Sequence, residues 1–243
     1  MRFQRFGTVL LVALVTIGCA SSARDGDGVA PGVVAPAAFA AWYEPEIRAF
    51  EAADEASPPA PGQVLFIGSS SIRMWGTLAE DMAPAPVLNR GFGGSKTGEV
   101  LAVFDRIVEP YAPSVIVYYC GDNDLGTEST DSRAAAAGFI EFDLRARSRW
   151  PGVRVFYIPI KPSVARWSNW AAMARANGIV REYCQETEGA EYLDTVTPML
   201  GADGRPDPSL FLDDGLHLNE KGYEVWKGVV SGPVVEAWRR RSR

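Results

Sequence analysis

Gln63-Val64-Leu65-Phe66-Ile67-Gly68-Ser69-Ser70-Ser71 is the stretch whose reading decides the fold. An apolar run from Gln63 to Ile67, rich in strand formers, stops at a glycine, and a helix-compatible stretch follows through Trp75. Strand, tight turn and helix start form the opening unit of an alternating chain. A serine at such a corner stands above the strand end. Its backbone N–H belongs to the first helical turn, where unpaired donors and the positive end of the dipole favour a developing oxyanion. The same position equally suits a serine N-cap.

Further along the chain, strand-like runs at 87–89, 114–120, 153–160 and 191–193 alternate with helical patterns at 96–109, 131–149, 166–188 and 219–239. That alternation predicts βαβ units and a mainly parallel sheet, and no internal repeat is present. Residues 36–56 predict an extra N-terminal helix on which Phe39, Trp42, Tyr43, Ile47 and Phe50 share an apolar face, for core packing or for a lid. Ser57-Pro58-Pro59-Ala60-Pro61-Gly62 breaks that helix before the first strand.

Loops at the carboxyl ends of parallel strands converge on one rim, where ligands bind. Two more loops belong there. Arg90-Gly91-Phe92-Gly93-Gly94-Ser95 follows the second strand, and its glycines let backbone N–H groups turn toward a ligand or simply make a tight turn. No Gly-Lys-Ser/Thr follows at phosphate-loop spacing, and the glycines fall short of a dinucleotide fingerprint. Gly121-Asp122-Asn123-Asp124 follows the third strand and offers one amide donor flanked by acids, a pattern shared with solvated turns and weak divalent-cation sites. The chain's single histidine, His217, lies three residues after Asp214. A carboxylate at that spacing can hold one imidazole tautomer for proton transfer, or merely begin the last helix.

The four blocks FIGSSSIRMW (66–75), NRGFGGS (89–95), GDND (121–124) and DDGLHLN (213–219), in this order, resemble those of the SGNH, or GDSL-type, serine esterase and acylhydrolase superfamily. The resemblance runs from about Gln63 to Trp226. It implies a flavodoxin-like three-layer α/β/α sandwich with a mainly parallel five-stranded sheet. It also implies Ser70 as nucleophile, Asp214 and His217 as its partners, and an oxyanion hole from the N–H groups of Ser70 and Gly94 and the Asn123 side-chain amide. The family commonly has Asp before the serine, where this chain has Ser69, so Ser69 and Ser71 are rivals; alignment on Gly68 favours Ser70. The α/β-hydrolase fold shares the Ser, Asp, His order, but its G-x-S-x-G elbow is absent here.

The implied activity is hydrolysis of carboxylic esters through an acyl-enzyme, on short-chain or acetyl esters, with carbohydrate as one carrier. Alternatives are a lysophospholipase or lipase using an apolar groove built with Trp75, Trp167 and Trp170, acyl transfer to a sugar hydroxyl, and a glycan-binding surface lipoprotein with a degenerate site. Arg90, Lys161 and Arg166 fall on or near the expected rim and are candidates for substrate binding, or ordinary solvated charges. No cofactor and no metal are expected, because Cys120 and Cys184 lack metal-site spacing and the one histidine is already assigned. Both cysteines are expected as separate buried thiols.

The N-terminus carries Arg2 and Arg5 ahead of an apolar run from Val9 to Ile17, which is too short to span a bilayer and suits a secretory leader over residues 1–18. Thr16-Ile17-Gly18-Cys19 resembles a bacterial lipobox, with Cys19 the lipidated residue; a plain secretory cut near Ser21-Ser22-Ala23 is the alternative. Residues 19–36 then form a flexible tether and 37–243 a single hydrolase domain. The expected location is exported, in the cell envelope or secreted, with membrane contact only through the lipid. The net charge of −6 argues against nucleic acid as a partner, and loss of the leader with its two arginines makes it −8.

Overall fold

The computed structural model describes residues 41–126 and 131–241. The expected leader over 1–18, Cys19, the tether over 19–36 and Phe39 lie outside the described residues.

Five strands form one sheet: β1 (Val64–Gly68), β2 (Val87–Gly91), β3 (Val115–Tyr119), β4 (Arg154–Tyr157) and β5 (Ala190–Tyr192). Their order is β2-β1-β3-β4-β5, and every pairing is parallel. The chain order reverses between β1 and β3, so the loops leaving these two strands part at their carboxyl ends and open a crevice. Strands β1 and β3 are buried along their whole length, which explains why they read as nearly continuous apolar runs.

The period of two along each strand divides the core. Leu65, Ile67, Ile116, Tyr118, Val155 and Tyr157 face one helical layer. That layer is built from α1 (Glu44–Ala56), α4 (Thr97–Ala102), α5 (Phe104–Ile107), α7 (Ser132–Arg149) and α8 (Trp170–Glu186). Val64, Phe66, Val115, Val117, Tyr119 and Phe156 face the other layer, in which α2 (Ser70–Arg73), α3 (Leu78–Asp81) and α9 (Glu220–Arg241) supply Ile72, Leu78, Trp226, Val230 and Val234. A single turn, α6 (Asp122–Leu125), caps β3.

Several element bounds differ from the sequence expectation for physical reasons. Strand β4 stops at Tyr157 because Pro159 has no N–H to donate to a ladder. The pattern at 96–109 divides into α4 and α5 at Val103, and Pro110 closes the segment as a short 3-10 turn. The N-terminal helix begins at Glu44, with Pro45 and two acids in its first turn, instead of at 36. Tyr43, Ile47 and Phe50 pack on the core as expected, but Trp42 precedes the helix and stays 56% exposed.

Arg90 is a correction to the expected rim. Strand β2 runs on to Gly91, so Arg90 alternates onto the layer side with Leu88. Its guanidinium pairs with Asp54, donates to the Tyr111 hydroxyl at 2.7 Å, and lies over the rings of Phe50 and Tyr111. It is buried and fastens α1 to the sheet. Trp75 is likewise a core residue, packed among Phe66, Tyr223 and Trp226. Cys120 and Cys184 are free thiols, both buried.

Candidate active site

Gly68 makes the first corner possible. Its φ is +141°, and a Cβ there would come within 1.8 Å of the Tyr119 carbonyl oxygen, so only glycine lets β1 turn this tightly against β3. Ser70 emerges as the first residue of α2. The turn is braced from two sides: the Asn89 side-chain amide donates to the Ile72 carbonyl at 2.7 Å, and the Tyr223 hydroxyl donates to the Ser71 carbonyl at 3.0 Å. Ser69 and Ser71 are buried, whereas Ser70 Oγ lies 3.0 Å from His217 Nε2. Geometry therefore separates Ser70 from its two rivals.

The loop before α9 presents the other two groups. Asp214 Oδ1 accepts the N–H groups of Leu216 and His217 at 2.9 Å each, and its Oδ2 lies 2.6 Å from His217 Nδ1. Leu212 and His217 close the turn with a 2.8 Å backbone bond, and Gly215 accepts from Ala165 N–H at 3.0 Å. This scaffold fixes the ring from behind. The bond from His217, aided by the Leu216 N–H, lowers the Asp214 carboxyl to about 2. Asp214 therefore remains a carboxylate throughout the neutral range and keeps Nδ1–H donating toward it, which leaves Nε2 to accept from Ser70.

Three candidate donors belong to the cleft that holds Ser70. Among the described residues, neither Ser70 N–H nor Gly94 N–H has an acceptor. Gly94 adopts φ +70°, a left-handed conformation that turns the chain there. Asn123 donates one amide hydrogen to the Ser95 carbonyl at 3.0 Å, and its Oδ1 accepts from Arg166 Nη2 at 2.9 Å. Its amide is thus oriented from both ends, with the second N–H left over. Ser70, Gly94, Asn123 and His217 all line one open cleft of about 430 Å³.

Behind Asn123 lies a buried ion cluster. Lys161 Nζ reaches Asp122 Oδ2 at 2.5 Å and the Tyr119 hydroxyl at 3.0 Å, and Arg166 pairs with Asp122 Oδ1 while bonding its carbonyl at 2.8 Å. Burial opposes ionisation of Asp122, but Lys161 and Arg166 outweigh it and hold the carboxyl at about 2. Lys161 is thereby a correction: it is 1% exposed and spent on Asp122, so it offers nothing to a substrate. Arg166 does line the cleft, with its guanidinium engaged by Asp122 and Asn123. Trp167 and Trp170 stack on each other 5.8 Å apart.

The sequence reading places neither Glu46 nor Arg73 at the site, and it puts Trp42 on a helix face meant for core packing or for a lid, yet all three line the cleft. One signal existed for Trp42. Pro45 marks a first helical turn, so a residue three positions before it lies outside the helix and need not follow its apolar face.

Fold and site together define a hydrolase of carboxylic esters, and the known proteins this chain resembles agree. Residues 67–225 match the model of the GDSL-like lipase/acylhydrolase family, and the chain belongs to that family. The "Isoamyl acetate-hydrolyzing esterase 1 homolog" of Bos taurus is 29% identical over 206 residues, covering 72% of this chain and 82% of that protein. Among solved structures, a GDSL-like lipase from Bacteroides thetaiotaomicron superposes with a TM-score of 0.66 at 17% identity, covering 79% of this chain and 98% of the other. An acetylxylan esterase from Geobacillus stearothermophilus does so at 0.56 and 14%, covering 70% and 92%. A carbohydrate esterase of Talaromyces cellulolyticus gives 0.57 and 16%, covering 74% and 99%.

Removal of the Asn123 donor has a defined expectation. Asn123→Ala should lower kcat on a short-chain ester by about a hundredfold, the usual cost of losing one oxyanion donor, with a much smaller change in KM. Steady-state kinetics check this, and a fall confined to KM would instead make Asn123 a ground-state binding group.

Proposed function

We propose that the protein hydrolyses short-chain carboxylic esters, acetyl esters foremost, through an acyl-enzyme on Ser70. The observation that carries this reading is the unbroken line of contacts from Asp214 through His217 to Ser70, at 2.6 and 3.0 Å. His217 Nε2 takes the hydroxyl proton as Ser70 Oγ attacks the ester carbonyl. The carbonyl oxygen becomes an oxyanion held by the N–H groups of Ser70 and Gly94 and by Asn123 Nδ2. As the intermediate collapses, His217 returns the proton to the departing alcohol. Water then enters, gives a proton to His217, attacks the acyl carbon and releases the acid, restoring Ser70.

A short acyl group is favoured by the cleft itself. Its apolar wall is short, Trp42 and Leu216 standing among the charged Glu46, Arg73, Asp122 and Arg166, so a long alkyl chain has few apolar side chains to bury against. Trp75, one of the three tryptophans expected to build an apolar groove, is 2% exposed. The bovine relative is named for isoamyl acetate, and the Geobacillus stearothermophilus neighbour for acetylxylan. Ethyl esters from acetate to palmitate test the reading. The expected kcat/KM is highest for acetate to butyrate and lower by about tenfold or more for palmitate. A preference for palmitate would replace it with the long-chain alternative.

A further inference from the structure

The helix that precedes the family match and the turn just before it bring two side chains to the cleft. Trp42 is the one aromatic among the large apolar side chains that are exposed within the described residues. Its ring is nevertheless fixed at both edges. The indole Nε1–H donates to Glu99 at 2.9 Å, and the opposite edge packs so closely on Gly94 that a Cβ there would lie 3.1 Å from it. Tyr43 meets it edge-on at 5.5 Å and rests in turn on Phe92. Beside it, both carboxylate oxygens of Glu46 accept the Gly93 N–H at 3.2 Å, and Arg73 Nη1 stands 3.8 Å from Glu46. Trp42, Glu46 and Arg73 thus border the same cleft as Ser70 and His217.

A rigid, bare aromatic face next to a carboxylate and a guanidinium has a particular complement. A sugar ring carries an apolar C–H face that lies flat on an indole and an edge of hydroxyls that pair with charged hydrogen-bonding groups. The adjacent charges of Glu46 and Arg73 offset each other, so the place suits a neutral ring rather than a phosphate or a uronate. An acetyl group fills little of a cleft of about 430 Å³, and the remainder must take the alcohol. We propose that Trp42, Glu46 and Arg73 form the subsite for the alcohol part of the ester and that this alcohol is a neutral sugar. The inference rests on the reading of Ser70 as nucleophile toward short acyl esters, and adds to it what bears the acyl group. Because the platform is fixed before any ligand arrives, ordering it on binding costs little.

Acetate release from acetylated xylo-oligosaccharides and from monoacetylated glucose, each compared with ethyl acetate, tests it on the whole chain. Trp42→Ala should lower the ratio of kcat/KM for a sugar acetate over that for ethyl acetate by about tenfold or more, through KM, whereas Trp42→Phe, which keeps a flat face, should stay within about threefold of the wild-type ratio. A ratio unchanged within about twofold in Trp42→Ala, or an equal fall in both variants, overturns the subsite. A wild-type enzyme that cleaves ethyl acetate but neither sugar acetate also overturns it while leaving the short-acyl reading intact. A wild-type enzyme that cleaves none of the three overturns the short-acyl reading, and the subsite with it.

Discussion

Ser70→Ala is expected to lower kcat on a short-chain ester by roughly four to six orders of magnitude while leaving the unfolding temperature almost unchanged. Among the described residues the Oγ contacts only His217 Nε2 of the polar groups, and alanine is at home in the first turn of α2, so little of the fold depends on the hydroxyl. His217→Ala should cost about as much, and the double variant no more than either alone, because a nucleophile without its base and a base without its nucleophile fail at the same step. Kinetics of the three variants beside thermal melts check both halves of the statement. A fluorophosphonate probe should label the wild type at Ser70 and leave Ser70→Ala unlabelled. An alanine variant retaining more than about a tenth of the rate would remove Ser70 from the mechanism.

The second large effect concerns stability. Asp122→Ala should destabilise the fold by about 3–5 kcal/mol, because it leaves the Lys161 ammonium buried without its carboxylate. For a chain of this size that is roughly a 10 °C fall in Tm. Adding Lys161→Met to Asp122→Ala removes the stranded charge and should recover a large part of the loss, although Arg166 still lacks its partner. The same cluster shapes the acid limb. With its folded pKa at about 2 against an ordinary 3.8, Asp122 is protonated first in the unfolded chain as pH falls. Its contribution is therefore complete above about pH 4 and disappears as pH drops through about 2. Between those values the wild type should lose more stability than Asp122→Asn, measured by urea melts at each pH. Equal slopes for the two proteins would mean that Asp122 is not held ionised by its neighbours.

Much of this architecture was legible because strand and helix periods leave different marks. The run ending at Gly68 announced a strand and a sharp corner, and five such units in alternation require a parallel sheet with its loops on one rim. Ser70, Gly94 and Asn123 could be placed together because loops after parallel strands share a rim, whereas their roles, and those of Asp214 and His217, followed from the resemblance of the four ordered blocks. What stayed hidden depended on parity and pairing. Arg90 changes from rim to interior with a two-residue extension of β2, and no local signal fixes where a strand ends when glycines follow it. Lys161 is invisible as a buried residue unless Asp122 is known to face it across the gap between two loops. Trp42 reads as part of the same apolar face as Tyr43, Ile47 and Phe50, and only the start of α1 at Glu44, with Tyr43 as its cap, leaves Trp42 outside the helix.

The Arg90 fastening of α1 also bears on how an excised fragment would behave. The family match begins at Ile67, inside β1, and ends at Val225, inside α9. A clone cut to those limits would keep two residues of β1, strand Arg90 without Asp54, and take Ile47 from the layer that holds Phe92 and Val100. It would also discard Val230 and Val234 from the opposite layer. The compact unit is therefore wider than its signature, and takes in the turn before α1 and the last turn of α9.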